Sequence, residues 1–98
     1  MTCRAIALEA HIQPVKPIRL SGHAREQCVF RGTAEEEIVQ AIRTTPWMMV
    51  RAGRFDCRMD LVYEAEWNGK FYATKQIRPI FVEEASEIVV ITVYVYYY

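Results

Sequence analysis

The sequence predicts an α+β domain: a short N-terminal strand, two helices, then an antiparallel meander of three or four strands with the helices on one face. Three observations predict it. Residues 87–98 contain neither Gly nor Pro and are filled with β-branched and aromatic side chains, the composition of a well-packed strand. Asn68-Gly69 separates two alternating stretches, and this dipeptide supplies the two positive φ angles that a type I′ hairpin turn needs. Helix start and stop signals gather between Ser21 and Pro46, ahead of the strands.

Taken in order, residues 1–16 read as an N-terminal extension, where Pro14 and Pro17 oppose a helix. Residues 17–98 read as the single α+β domain. Ile18-Arg19-Leu20 is a short strand candidate. Ser21 is a natural N-cap, because its hydroxyl can satisfy an orphan amide of the following turn. The first helix is expected from about Gly22 to Phe30, with Ala24 and Cys28 on its inner stripe, Gln27 and Phe30 as further candidates for it, and Gly32 closing it. Thr33 with Glu36 is expected to form a capping box, and the acids 35–37 suit the positive end of a helix. Ile38, Val39 and Ile42 recur at helical spacing, and Pro46 ends the second helix.

Strand chemistry begins at Trp47. Ala52-Gly53 marks a turn, and Phe55 to Met59 reads as a short strand or a continuation. Met59, Leu61, Tyr63, Ala65 and Trp67 alternate with mostly polar neighbours. A two-residue loop at Asn68-Gly69 sets Val62 opposite Lys75 and Glu64 opposite Ala73. Pro79 is expected at an edge or past the end of regular pairing. The last strand reads as central and covered on both sides. Strict alternation places Ile88, Val90, Thr92, Tyr94, Tyr96 and Tyr98 on one face, and the residues between them on the other. The face with the hydroxyls is the better candidate for chemistry.

With 98 residues, 52% of them hydrophobic, the chain suits one globular domain. Twelve basic residues balance twelve acidic ones, so any nucleic-acid surface must be a local patch. Three cysteines without a C-x-x-C pair argue against a disulfide framework and a zinc site, and for a reducing compartment. With no secretory signal and no apolar run of membrane-spanning length, the cytoplasm is expected, with no membrane partner.

His23 lies in the first turn of a capped helix, where it can act as acid or base or simply orient the helix. Arg25 and Arg31 can hold phosphate or pair with Glu35–Glu37 across the interhelix turn. Lys75 sits among apolar neighbours, where it can stabilise developing negative charge or pair diagonally with Glu64. Arg78 is a further phosphate candidate. Thr92 and Tyr94, two residues apart, share a face, and a buried hydroxyl there needs a partner. Cys28 belongs to the packed stripe. Tyr96 to Tyr98 can serve self-association or strand addition.

Ser21-x-His23-Ala24, Arg31-Gly32, the acidic start of helix two, Ile38 with Ala41-Ile42, and Ile91-Thr92-Val93-Tyr94 together resemble a bacterial domain-of-unknown-function family, forty-two fifty-eight. That family is placed with the RelE/barnase-like ribonuclease toxins. The resemblance spans roughly residue 17 to the C-terminus. It implies a metal-independent RNA-cleaving toxin without a cofactor, with RNA as substrate and a cognate antitoxin as partner. His23, Arg31, Gly32, Thr92 and Tyr94 match the family pattern, and Gln27 departs from it where arginine is frequent. Cleavage would proceed by attack of the ribose 2′-hydroxyl on the adjacent phosphate. His23 would act as acid or base and Tyr94 assist proton transfer, with Thr92 orienting and Arg31 binding phosphate. Lys75, taken from the pattern of faces and not from the family, would join as a catalytic cation, and Arg25 and Arg78 as phosphate binders. The alternative expectation is a non-catalytic interaction module that associates through its aromatic C-terminal strand.

Overall fold

In the computed structural model, which describes residues 15–98, β1 (Ile18–Leu20) leads into α1 (Gly22–Arg31) and α2 (Glu35–Thr44). The strands β2 (Met48–Arg51), β3 (Arg54–Asp56), β4 (Met59–Trp67), β5 (Lys70–Glu83) and β6 (Ile88–Tyr97) follow. The α+β class and the order of elements match the sequence expectation. The expected N-terminal extension falls outside the described residues but for its last two. No described helix is long and apolar enough to cross a membrane.

The sheet corrects the expected meander. It is mixed and six-stranded, in the order β1-β6-β5-β3-β2, with β4 also pairing β5. β1 runs parallel to β6, with Ile18 opposite Ile88 and Leu20 opposite Val90. Three residues are too few to show a period, so the sequence held no sign of that partner. β5 is the longest strand. One side pairs β6 from Lys75 to Glu83, and the other pairs β4 up to Ile77 and β3 from Ile80.

Pro79 stands in the middle of β5, not at an edge. Thr74 and Tyr98 exchange both backbone hydrogen bonds, so alternation along the antiparallel ladder turns residue 79's nitrogen away from β6. There it meets the break between β4 and β3, where no strand needs its missing N–H.

Two bulges reset the faces. In β6, Ile80 pairs with Thr92 but Phe81 pairs with Val90, so Ile91 is an extra residue. Ile88 and Val90 therefore share the helix-covered face with Val93, Val95 and Tyr97. Thr92, Tyr94 and Tyr96 point to the other face, which no described helix covers. The expectations of a single alternating run and of cover on both sides are thus corrected. In β4 a bulge between Val62 and Ala65 places Glu64 at φ 47°. Val62 accordingly faces Thr74 and Leu61 faces Lys75, one residue from the expected register. The turn itself is as expected, with Asn68 and Gly69 both at positive φ.

The core lies between helices and sheet. Ala24 of α1 and Ile38, Ala41 and Ile42 of α2 bury against Ile77, Phe81, Val90 and Val93. Trp47 packs edge-on against Phe81, with centroids 4.9 Å apart, and donates its indole N–H to Ile42 O. Ser21 caps α1 as expected, its Oγ accepting from Ala24 N at 3.1 Å. The cap of α2 is shifted by one residue from the expected Thr33. Ala34 is the N-cap, and Glu37, not Glu36, closes back on its amide at 3.3 Å.

Gly32 joins the helices at φ 77°, and a Cβ there would stand 2.6 Å from the Trp67 ring and the Tyr97 hydroxyl. Gly53, also at φ 77°, has open space around it. Gly32→Ala should cost about 2–3 kcal/mol in urea unfolding, against about 1 kcal/mol for Gly53→Ala. Equal losses would show that ring contact at Gly32 adds nothing to the backbone penalty.

Candidate anion-binding site on the open sheet face

Cross-strand pairing sets Arg78 opposite Tyr94 and Ile80 opposite Thr92 on the uncovered face. The Tyr94 ring takes the Arg31 guanidinium at 5.2 Å and that of Arg78 at 5.6 Å from its centroid. Each is within the range of cation–π attraction. Arg31 comes from the last turn of α1, beside the edge of β6 that no described strand covers beyond Val90. Gln27, one turn earlier, accepts from Arg31 Nε at 2.7 Å and aims it. Gln27 thus positions a cation rather than supplying one.

Arg78 is held from its own side. Its Nε donates to Asp56 Oδ2 at 2.7 Å, and its Nη1 reaches the Tyr96 hydroxyl at 3.4 Å. The bond to Asp56, then that to Tyr96, raises the pKa of the guanidinium above its ordinary value. Asp56 is buried, so this pair fixes the arginine more firmly than a surface ion pair would. The β2–β3 hairpin adds Arg51 and Arg54. With Val50, Arg78, Ile80, Ile91, Thr92 and Tyr94 they line a cleft of about 230 Å³. Three arginines thus line the cleft, with Arg31 beside its Tyr94, and of the four Arg78 alone is paired with Asp56, in a chain of zero net charge. Such a patch suits a phosphate or another anion.

Arg31, Arg78, Thr92 and Tyr94 are brought together. His23 is exposed on the α1 stripe that also carries Gln27 and Arg31, but it does not line the cleft. Arg25 pairs at the surface with Glu35 at 3.4 Å. Lys75 is on the helix-covered face, turned away from Thr92 and Tyr94. It is buried, pairs with Glu37 at 3.0 Å and donates to Gly32 O at 2.9 Å. Its partner is neither a developing charge nor Glu64 but the start of α2. Tyr97 joins it there, donating to Arg31 O at 2.6 Å and stacking on Trp67. Burial pushes the thiols of Cys28 and Cys57 up, away from the nucleophilic thiolate.

Arg51, Arg54 and Asp56 were not among the expected site residues. Two arginines flanking the Ala52-Gly53 turn are a signal that could have found the first pair. Nothing local marks Asp56, whose partner lies twenty-two residues away.

Burial pushes the Glu37 carboxyl up. The bonds from Lys75, Thr33 Oγ1 and the Ala34 amide outweigh that and hold it below its usual 4.5. Its contribution to stability is therefore present above about pH 4.5 and lost as pH falls through the lowered folded value. Lys75→Met should flatten the acid limb of a stability–pH curve, and an unchanged limb would assign acid unfolding to other carboxylates. In comparisons with known proteins, the sequence matches no protein-family model and no curated protein, and no solved structure matches the fold.

Proposed function

We propose that this chain is a metal-independent endoribonuclease of the toxin class, with a RelE/barnase-like architecture, acting on RNA held at the open sheet face. One observation supports the reading above the others: the Tyr94 ring has two guanidiniums within cation–π range and lines a cleft that also carries Arg51, Arg54 and Arg78. A phosphodiester seated there would meet cations where charge builds in a phosphorane, and preorganised cations lower that barrier most. In the proposed reaction the ribose 2′-oxygen attacks the adjacent phosphorus and the bond to the 5′-oxygen breaks. Arg31 and Arg78 hold the phosphoryl oxygens, and Arg51 and Arg54 neutralise the flanking phosphate. Tyr94 Oη, in the cleft with Arg78, protonates the leaving 5′-oxygen, and Thr92 on the same face orients the phosphate. His23, about two turns from Arg31 along α1 and outside the cleft, has no part in the scheme, and the 2′-hydroxyl proton passes to water. Lys75 and Arg25 have no part in this scheme, because each is already paired.

The partner of such a toxin would be an antitoxin protein. The alternative, association through the C-terminal strand, has less support. β6 is paired with β5 along its length, its other edge is covered by β1 only as far as Val90, and Tyr97 is engaged internally beneath the helices. Among the described residues a second open edge, more apolar, lies at β2, where Met48, Met49 and Val50 are exposed.

Bulk RNA incubated with the protein in EDTA should be cleaved. Tyr94→Phe and Arg31→Gln should each slow cleavage by roughly 10²-fold while leaving thermal unfolding nearly unchanged. His23→Ala should leave cleavage in the same assay nearly unchanged. Intact RNA after prolonged incubation with folded wild-type protein would sink the enzymatic reading.

A further inference from the structure

Tyr94, Tyr96 and Tyr98 occupy alternate positions along one strand, and cross-strand neighbours confirm that they share the open face. Arg78 lies opposite Tyr94, and Gln76 lies opposite Tyr96. Thr74 exchanges backbone bonds with Tyr98. Their exposure rises along the row, from 36% to 42% to 58%. The outer two rings are tethered by their hydroxyls. Tyr96 Oη accepts from Arg78 at 3.4 Å, and Tyr98 Oη donates to Asp60 Oδ2 at 3.0 Å, across β5. Gln76 Nε2 holds the other oxygen of Asp60 at 2.8 Å.

We infer that this row is a base-stacking platform for single-stranded RNA, continuous with the arginine cleft. The inference rests on the RNA reading proposed above and names the form of RNA that fits. Three physical arguments carry it. Tethered rings have already lost most of their rotamer freedom, so stacking a base on them costs little ordering entropy. Alternate residues of a strand stand about 6.7 Å apart, roughly twice the ~3.4 Å rise per nucleotide of a stacked duplex. Only bases splayed out of a helix can meet successive rings at that spacing, and sequence-tolerant stacking on aromatics is how single strands are held. Charge gives the row a direction. Arginines gather at the Thr92–Tyr94 end, whereas the carboxylate of Asp60, held by the neutral groups of Gln76 and Tyr98, occupies the other. Phosphates therefore belong at the arginine end, and bases, not phosphates, over Tyr96 and Tyr98.

The test is direct binding by the full chain in EDTA, measured by anisotropy. The probes are a labelled oligouridylate of about 12 nucleotides, of non-cleavable 2′-O-methyl chemistry, and a duplex of equal length. The single strand should bind more tightly than the duplex. Tyr96→Ala and Tyr98→Ala should each weaken single-strand binding roughly 5- to 150-fold, and Tyr98→Phe, which keeps the ring and loses only its tether, should weaken it less than Tyr98→Ala. Arg31→Gln should reduce the salt slope, whereas the tyrosine variants should leave it unchanged. Undiminished affinity in both Ala variants, equal affinity for duplex, or equal loss in Tyr98→Phe and Tyr98→Ala would each overturn the platform. Stacking-dependent binding by a protein that cleaves no RNA would keep the platform and discard the nuclease. Cleavage retained with undiminished binding in both Ala variants would do the reverse.

Discussion

The extra residue in β6 decides which side chains of this protein are core and which are surface. A one-residue change of register turns every following side chain to the opposite face. Without the bulge at Ile91, Val93, Val95 and Tyr97 would leave the core, and Thr92, Tyr94 and Tyr96 would be driven under the helices with their hydroxyls. The bulge also anchors α1. Ser21 donates its backbone N–H to Val90 O at 2.9 Å and its hydroxyl to Ile91 O at 3.0 Å. The carbonyls that irregular pairing would leave unsatisfied are taken up by the residue that caps the helix. Helix entry, sheet curvature and the change of face are therefore one local event.

The two faces then carry different chemistry. Beneath the helices, the cation at Lys75 is neutralised by Glu37 and bonded to Gly32 O, which locks the interhelix turn to β5. An apolar pair of similar volume could be as stable, so such a buried ion pair is better read as fixing one arrangement than as adding stability. On the open face, Arg78 is neutralised by Asp56 through Nε alone, so its outer nitrogens still face the cleft and Tyr96. A cation that is fixed but not fully satisfied is what anion recognition needs.

The open site is assembled from distant parts of the chain. Arg31 ends α1, Arg51 and Arg54 flank a hairpin turn, Arg78 is mid-strand in β5, and Tyr94 is in β6. Overall neutrality therefore says little about local field. The acids that cancel these charges in the total lie elsewhere, as in Glu35 with Arg25 and Glu87 with Arg19. Gln27 completes the arrangement by orienting Arg31 rather than by adding charge.

What the sequence determined by itself was local. The Ser21 cap, Gly32 at positive φ, the two helices, the Asn68-Gly69 turn and the strand character of residues 88–97 are all set by adjacent residues through backbone preference and capping. Thr92 and Tyr94 were correctly placed together because they are two apart on one strand. Tertiary structure alone decided the rest. The bulges in β4 and β6, the parallel pairing of β1, the tolerance of Pro79 and the partners of Lys75 and Asp56 each depend on which strand or helix lies alongside. A strand's own residues specify its alternation, but only its neighbours specify where that alternation must break for one face to be buried and the other left open.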